Sequence, residues 1–318
     1  MFLESFKVTG LAVTQIFILA AIGYILVKRN ILGEACLDTL SRLTIEITLP
    51  ILIFCQLIKD FSFTLFPNWW IFPLISVLIT ALGLVIGKVF SVFIRGEEHK
   101  VQFMGLAAFQ NSGYLPLALV AALLPQDKAG TTFIYLFLFL LGFNLVMFSF
   151  GARMLESNKS RKFDLLSLFS PPVVATLGTL FLVFIGAPKL VPEFIYRPLK
   201  LVGECTLPLA MIVVGGNLAQ IHLGRINFKA IALLVLAKLI LLPAFGLLFF
   251  RQFPVPELIG LLIIIELAAP SATLLSVINR LQKKEDLLIG QGIFFGHLIS
   301  LVTLPVFLSL YFSAYMVK

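Results

Sequence analysis

Long apolar runs separated by short charged connections follow one another from one end of the chain to the other. A bilayer core about 30 Å thick is crossed by roughly 20 helical residues. On that ruler the runs number about ten, near 9–27, 38–58, 70–94, 101–124, 131–154, 165–187, 196–219, 230–250, 257–279 and 288–315. Charge collects between them, as in the clusters Arg95 to Lys100, Glu156 to Asp164 and Arg280 to Asp286. None of these connections is long enough to hold a soluble domain. The pattern predicts an all-α membrane protein of about ten transmembrane helices.

Composition agrees. Of 318 residues, 60% are hydrophobic and only 13% charged, with a mean hydropathy of +1.06. A soluble domain carries about 25% charged residues, so lipid is the solvent for most of this chain. The net charge of +8 lies in the connections, where topogenesis and anionic headgroups account for it. No basic block interleaved with aromatics offers a nucleic-acid surface. Cys36, Cys55 and Cys205 have neither metal-ligand spacing nor a disulfide framework and read as small packing residues. The first run ends in Lys28-Arg29-Asn30 rather than a small-residue cleavage site, so the first span is expected to be retained.

One five-residue word occurs twice: Glu46-Ile47-Thr48-Leu49-Pro50 in span two and Glu204-Cys205-Thr206-Leu207-Pro208 in span seven. An acid and a proline are both unfavourable inside a lipid-spanning helix. Repeating them at matching places predicts a duplicated unit: a five-helix repeat over 1–155, a central cytoplasmic loop at 156–164, and a second repeat over 165–318. Five spans per repeat is an odd number, so tandem copies enter the membrane in opposite directions, an architecture of secondary transporters. Lys and Arg number about 13 in the connections after odd spans and about 8 in the remainder. Both termini are therefore predicted outside the cytoplasm.

Two spans look broken. Span four contains Asn111-Ser112-Gly113-Tyr114-Leu115-Pro116, and span nine contains Glu266-Leu267-Ala268-Ala269-Pro270-Ser271. Proline removes a helical hydrogen bond, and Asn, Ser and Gly are poor helix-interior residues. Unwound backbone at membrane depth is tolerated only against protein or a water-filled cavity. Matched breaks in the two halves therefore point to a transport site, whose half-helix N-termini suit a carboxylate. The alternative is a pair of simple proline kinks. Asn111, Ser112, Gly113, Pro116, Ala269, Pro270 and Ser271 are the expected substrate-binding residues.

Three acids, Glu46, Glu204 and Glu266, lie inside spans, where each costs roughly 2.5–3.5 kcal/mol on insertion scales. Glu266, four residues before Pro270, is the expected coupling group, for a proton or for Na⁺ held with freed carbonyls. Glu46 and Glu204, with Pro50 and Pro208, read as hinge or secondary acids, each protonated or bonded to nearby Thr or backbone. Lys238 in span eight is a candidate partner for one of the three. Asn144, Asn217 and His297 read as polar glue between helices, and Trp69 and Trp70 as an interfacial belt.

These residues resemble the auxin efflux carrier family, which includes plant auxin exporters and bacterial transporters assigned to malate, malonate and related acids. The resemblance rests on the first-span exit Ile22 to Leu32, on Leu40-Ser41-Arg42-Leu43 running on to Thr48-Leu49-Pro50-Ile51, and on Asn111-Ser112-Gly113-Tyr114-Leu115-Pro116. Gly215-Gly216-Asn217-Leu218 and Ala269-Pro270-Ser271-Ala272 extend it. It implies ten helices in two inverted five-helix repeats, with discontinuous helices four and nine crossing, and a transport part moving as an elevator against a scaffold. It also implies a homodimer through the scaffold. The related bile acid:sodium symporters share this crossover plan. No asparagine stands at the span-nine break, so no asparagine role carries over there.

The resulting expectation is a secondary active transporter of a small mono- or dicarboxylate, auxin-like or malate-like, in a bacterial plasma membrane. It needs no cofactor, couples to H⁺ or Na⁺, and partners only its organic anion, the bilayer and a second copy. The alternatives are a Na⁺-coupled carrier of the bile-acid type and a receptor on a transporter fold. No prenyl-diphosphate aspartate pair, zinc-ligand pair or nucleophile–base set suggests an enzyme; His99, His222 and His297 are scattered.

Overall fold

The computed structural model describes residues 2–155, 168–276 and 287–316. The expected central loop, the start of span six, the end of span nine and the Arg280–Asp286 cluster lie outside the described residues. Seven helices are long and apolar enough to cross a membrane: α1 (Phe2–Lys28), α2 (Glu34–Asp60), α3 (Ile71–Ser91), α6 (Gln126–Leu155), α8 (Glu193–Gln220), α9 (Phe228–Gln252) and α11 (Leu287–Tyr315). Shorter apolar helices are α5 (Tyr114–Leu123) and α7 (Pro171–Phe184). The remaining two are α4 (Glu97–Ala108) and α10 (Glu257–Ala268). Taking α4 with α5 as one interrupted span, and α10 with the helical residues that restart at Leu274 as another, reproduces the ten expected spans in order. Among the described residues there is no strand, only one isolated β-bridge.

Local chemistry explains the ends. Gly96 takes φ +86° before α4, a left-handed turn that glycine adopts without penalty, and Glu97 and Glu98 occupy the first turn, where the helix dipole favours them. Pro171 and Pro172 open α7, where a missing N–H costs nothing. The Asn227 side chain accepts from the Ala230 N–H at 3.1 Å and caps α9.

The helices fall into two packed groups. One joins α1 to α8 and α2 to α7 and α8; the other joins α3 to α4 and α6, and α10 to α9 and α11. The closest approach is between α1 and α8, where Gly23 lies against the Ile212 carbonyl and Gly215 against the Ala20 carbonyl, so neither tolerates a Cβ. Contacts of α1 with α5 and α11 link the groups.

The repeated word marks a helix irregularity in both halves. In α2 residues Thr44–Thr48 form a π-helical turn, and in α8 the helix is interrupted at Cys205. Pro50 and Pro208 fall in the first turn of the helix that resumes. The acids differ from expectation. Glu46 is on the outer surface and pairs with Arg42 at 3.0 Å, and Glu204 pairs with Lys200 at 3.7 Å. Neither bonds to threonine or backbone, because a base one turn earlier reaches the carboxylate first. The cysteines also differ: Cys55 is buried, while Cys36 and Cys205 are exposed.

Candidate functional site at the helix crossover

The α4 helix stops at Ala108, leaving Phe109 to Gly113 extended or irregular before α5 begins at Tyr114. The α10 helix stops at Ala268, and Ala269 to Thr273 are likewise non-helical. The two breaks lie against each other. Asn111 N–H donates to the Pro270 carbonyl at 2.8 Å, and Ala272 N–H donates to the Phe109 carbonyl at 2.9 Å, closing an antiparallel bridge between Gln110 and Ser271. Ser271 Oγ adds a bond to the Leu106 carbonyl at 2.7 Å. Each break thereby satisfies backbone groups that the other has freed, which is how unwound chain survives in an apolar interior. Pro270 suits this place because it gives a carbonyl and has no N–H to satisfy. Pro116 is not in the break; it sits in the first turn of α5.

A cavity of about 160 Å³ opens beside the crossover. Its polar wall includes Gln110, Asn111, Ser112, Asn144 and Asn217, with Gly113, Tyr114, Thr273 and Leu274 at the two helix starts. Phe143, Phe148, Leu49 and Pro172 make the apolar wall. Among the described residues no Lys, Arg, Asp or Glu lines it. A separate polar cavity of about 370 Å³ shares Asn217 with it and is lined by Glu34, His222, Ser276 and Gly290.

The expected residues divide accordingly. Asn111, Ser112 and Gly113 line the cavity. Ala269, Pro270 and Ser271 are buried behind it as the bridge partner and do not line it. Asn144 and Asn217, read from sequence as interhelical glue, face the cavity instead.

His297 also has a defined place. Its Nδ1 is 2.8 Å from the Ile293 carbonyl, which can only accept, so Nδ1 carries the hydrogen. The bare Nε2 then accepts from Asn111 Nδ2 at 3.3 Å. The imidazole therefore fixes which end of the Asn111 amide is tied down. The sequence signal was a lone histidine in an apolar helix, with nothing to say what it faced.

Behind the bridge, Glu266 is fully buried and accepts from Gln110 Nε2 at 3.4 Å. A π-helical turn over Val235–Leu241 places Lys238 in the same interior, 1% exposed. Among the described residues no group of three His, Cys, Asp or Glu side chains could hold a metal ion.

The profile of the membrane transport protein family matches residues 10–165 and 159–308. The chain is 28% identical to Protein PIN-LIKES 6 of Arabidopsis thaliana over 124 residues, 38% of this chain and 29% of that protein. The match thus spans under a third of the plant protein's length.

Proposed function

The chain belongs to the membrane transport protein family, that of the auxin efflux carriers, and from that premise we propose that it is a secondary carrier of a small organic anion. The supporting observation is the pair of interrupted helices crossing back to back beside a cavity whose polar groups are neutral. An anion there meets amides, a hydroxyl and the N–H groups at the start of α5, where the helix dipole favours negative charge. With no cationic side chain among the described residues of the wall, one carboxylate is balanced by dipoles, and a second is not. The apolar wall then favours a monocarboxylate with a hydrophobic body over malate or malonate.

The two packed groups support alternating access by an elevator, in which the group holding α4, α5 and α10 carries the site past the group of α1, α2, α7 and α8. In this reading the neighbouring cavity that shares Asn217 is the exit on the side of Glu34, His222 and Gly290, the cytoplasmic side in the predicted orientation. Both termini are then non-cytoplasmic, and the 1–155 and 165–318 repeats are inverted. A bacterial plasma membrane is the expected location, and Glu266 is the coupling group.

The test is uptake of labelled indole-3-acetate, malate, malonate and succinate into proteoliposomes, with pH and Na⁺ gradients imposed separately. Saturable flux that favours the monocarboxylate and is lost in Asn111→Ala supports this reading. Binding without flux under either gradient would support a receptor instead.

A further inference from the structure

Four polar atoms around one carboxyl are buried without a hydrogen-bond partner: Glu266 Oε1, Gln110 Oε1, Ser112 Oγ and Lys238 Nζ. They belong together. Gln110 donates its amide hydrogen to the other oxygen of Glu266, Ser112 Oγ faces the same carboxyl, and the Lys238 charge acts on it from the π-turn of α9. No salt bridge joins Lys238 to Glu266 among the described residues, so the two charges share the interior without touching. Buried polar groups left in this way are normally satisfied by a shared water or ion.

The charge count decides which. A lone buried carboxylate invites a cation, but this one already has an ammonium in the same dry interior. Glu266 and Lys238 are neutral together, both as carboxylate with ammonium and as carboxylic acid with amine. A sodium ion added to the first form leaves a net positive charge with no solvent, which is the expensive arrangement. A proton needs no such room, because it sits on a group already present. Gln110 and Ser112 line both this interior and the substrate cavity, so a proton has a polar route between them.

We propose that Glu266, Lys238, Gln110 and Ser112 form a charge-balanced site behind the crossover, in which Lys238 stands where a coupling sodium ion would sit, so that the site passes a proton between Glu266 and Lys238 through a bound water and takes no metal cation. The proton passes from the Lys238 ammonium to the Glu266 carboxylate, converting carboxylate–ammonium to carboxylic acid–amine, and returns the same way, so the site stays neutral in both states. Other titratable groups on the helices packed against α10 face elsewhere. His297 is spent on Asn111 and Ile293, Tyr311 donates to the Glu257 carbonyl, Tyr135 stacks on Phe72, and Arg251 is exposed. Tyr114 lines the cavity. The site rests on the carrier reading only for its consequence in flux.

The test is thermal unfolding of the purified full chain in detergent, in sodium chloride and in choline chloride of equal ionic strength. Wild type should unfold at the same temperature in both salts. Lys238→Met, which leaves Glu266 without its cation, should gain a sodium-dependent rise in Tm of at least about 2 °C. Lys238→Met/Glu266→Gln should lose that rise. Sodium stabilisation of wild type, or a folded Lys238→Met indifferent to sodium, overturns the proposal. If Lys238→Met does not fold, rescue by adding Glu266→Gln supports the pairing and failure to rescue overturns it. No substrate enters this measurement, so a failed flux assay counts against the carrier reading and a sodium shift in wild type against this one.

Discussion

Glu266 and the acids of the repeated word, Glu46 and Glu204, are the same side chain in equally apolar stretches, yet they meet opposite surroundings. Glu266 is 0% exposed, held by one long hydrogen bond and faced by a buried lysine that does not reach it. The side chains of Glu46 and Glu204 are 45% and 55% exposed, each paired with a base one turn earlier on its own helix. The difference shows that an intramembrane acid is not functional by depth alone. What separates the cases is whether its counter-charge comes locally, along one helix, or from another helix across the interior. A local pair is neutral before the helices assemble, whereas Glu266 and Lys238 become a pair only when α9 packs on α10.

The largest effect is expected from removing one partner of the buried pair. Glu266→Ala leaves the Lys238 ammonium buried and unpaired, an arrangement that costs roughly 3–5 kcal/mol. We expect a large fall in the unfolding temperature in detergent, most of it restored when Lys238→Met is added. Were Glu266→Ala as stable as wild type, the two acids of the word and this one would be equivalent after all.

Next in size is Asn111→Ala. It removes a cavity amide while leaving the main-chain bond from Asn111 N–H to Pro270 in place. Folding should therefore persist while flux falls by about tenfold or more, the loss expected for a buried polar contact to a charged ligand. Proteoliposome uptake with the unfolding temperature measured on the same sample separates the two effects.

A smaller effect is expected of His297→Leu. It takes away the acceptor that holds Asn111 Nδ2, so the amide turns freely and KM rises by up to about tenfold while the maximal rate changes less. Because three histidines are present, nitrogen-15 spectra of histidine-labelled protein can read the tautomer directly. The expected signature is a hydrogen on Nδ1 of His297, and a hydrogen on Nε2 would remove the positioning role. Acidification has a defined sign: an imidazolium donates from both nitrogens, so it can no longer accept from Asn111 Nδ2 and the substrate site loosens.

Much of this was legible in the chain. Ten spans and two breaks followed from apolar run length, from Asn111, Ser112 and Gly113 in a span, and from Pro270 in its partner, while their crossing was implied only by the family resemblance. The bridge itself was not, since its hydrogen bonds run between backbones some 160 residues apart, which no local pattern encodes. The division of labour between the breaks was hidden for the same reason: Asn111 to Gly113 line the cavity, while Ala269 to Ser271 back it. Asn144, Asn217 and His297 carried too little signal, because one polar residue in an apolar helix does not reveal which neighbour it faces. The pairing of Glu46 and Glu204, in contrast, was there to be read. The repeat is longer than five residues: Arg42-Leu43 precedes the first acid by the same spacing as Lys200-Leu201 precedes the second. An i,i+4 base and acid on one helix is a local pattern, and reading it would have placed both acids in ion pairs from the start.

That longer repeat sets the smallest effect expected here. Glu46→Gln and Glu204→Gln each remove one member of an exposed pair, and the base left behind is long enough to reach other acceptors or the aqueous edge. Flux should stay within about twofold of wild type and the unfolding temperature should hardly move. The π-turn over Thr44–Thr48 and the interruption at Cys205 sharpen the case further. If they are hinges, they work through backbone geometry and the prolines that follow, not through the carboxylates. Pro50→Ala and Pro208→Ala should then alter flux more than either glutamine substitution does. A carboxylate variant that abolished flux at unchanged stability would reverse that order and return Glu46 or Glu204 to the same class as Glu266.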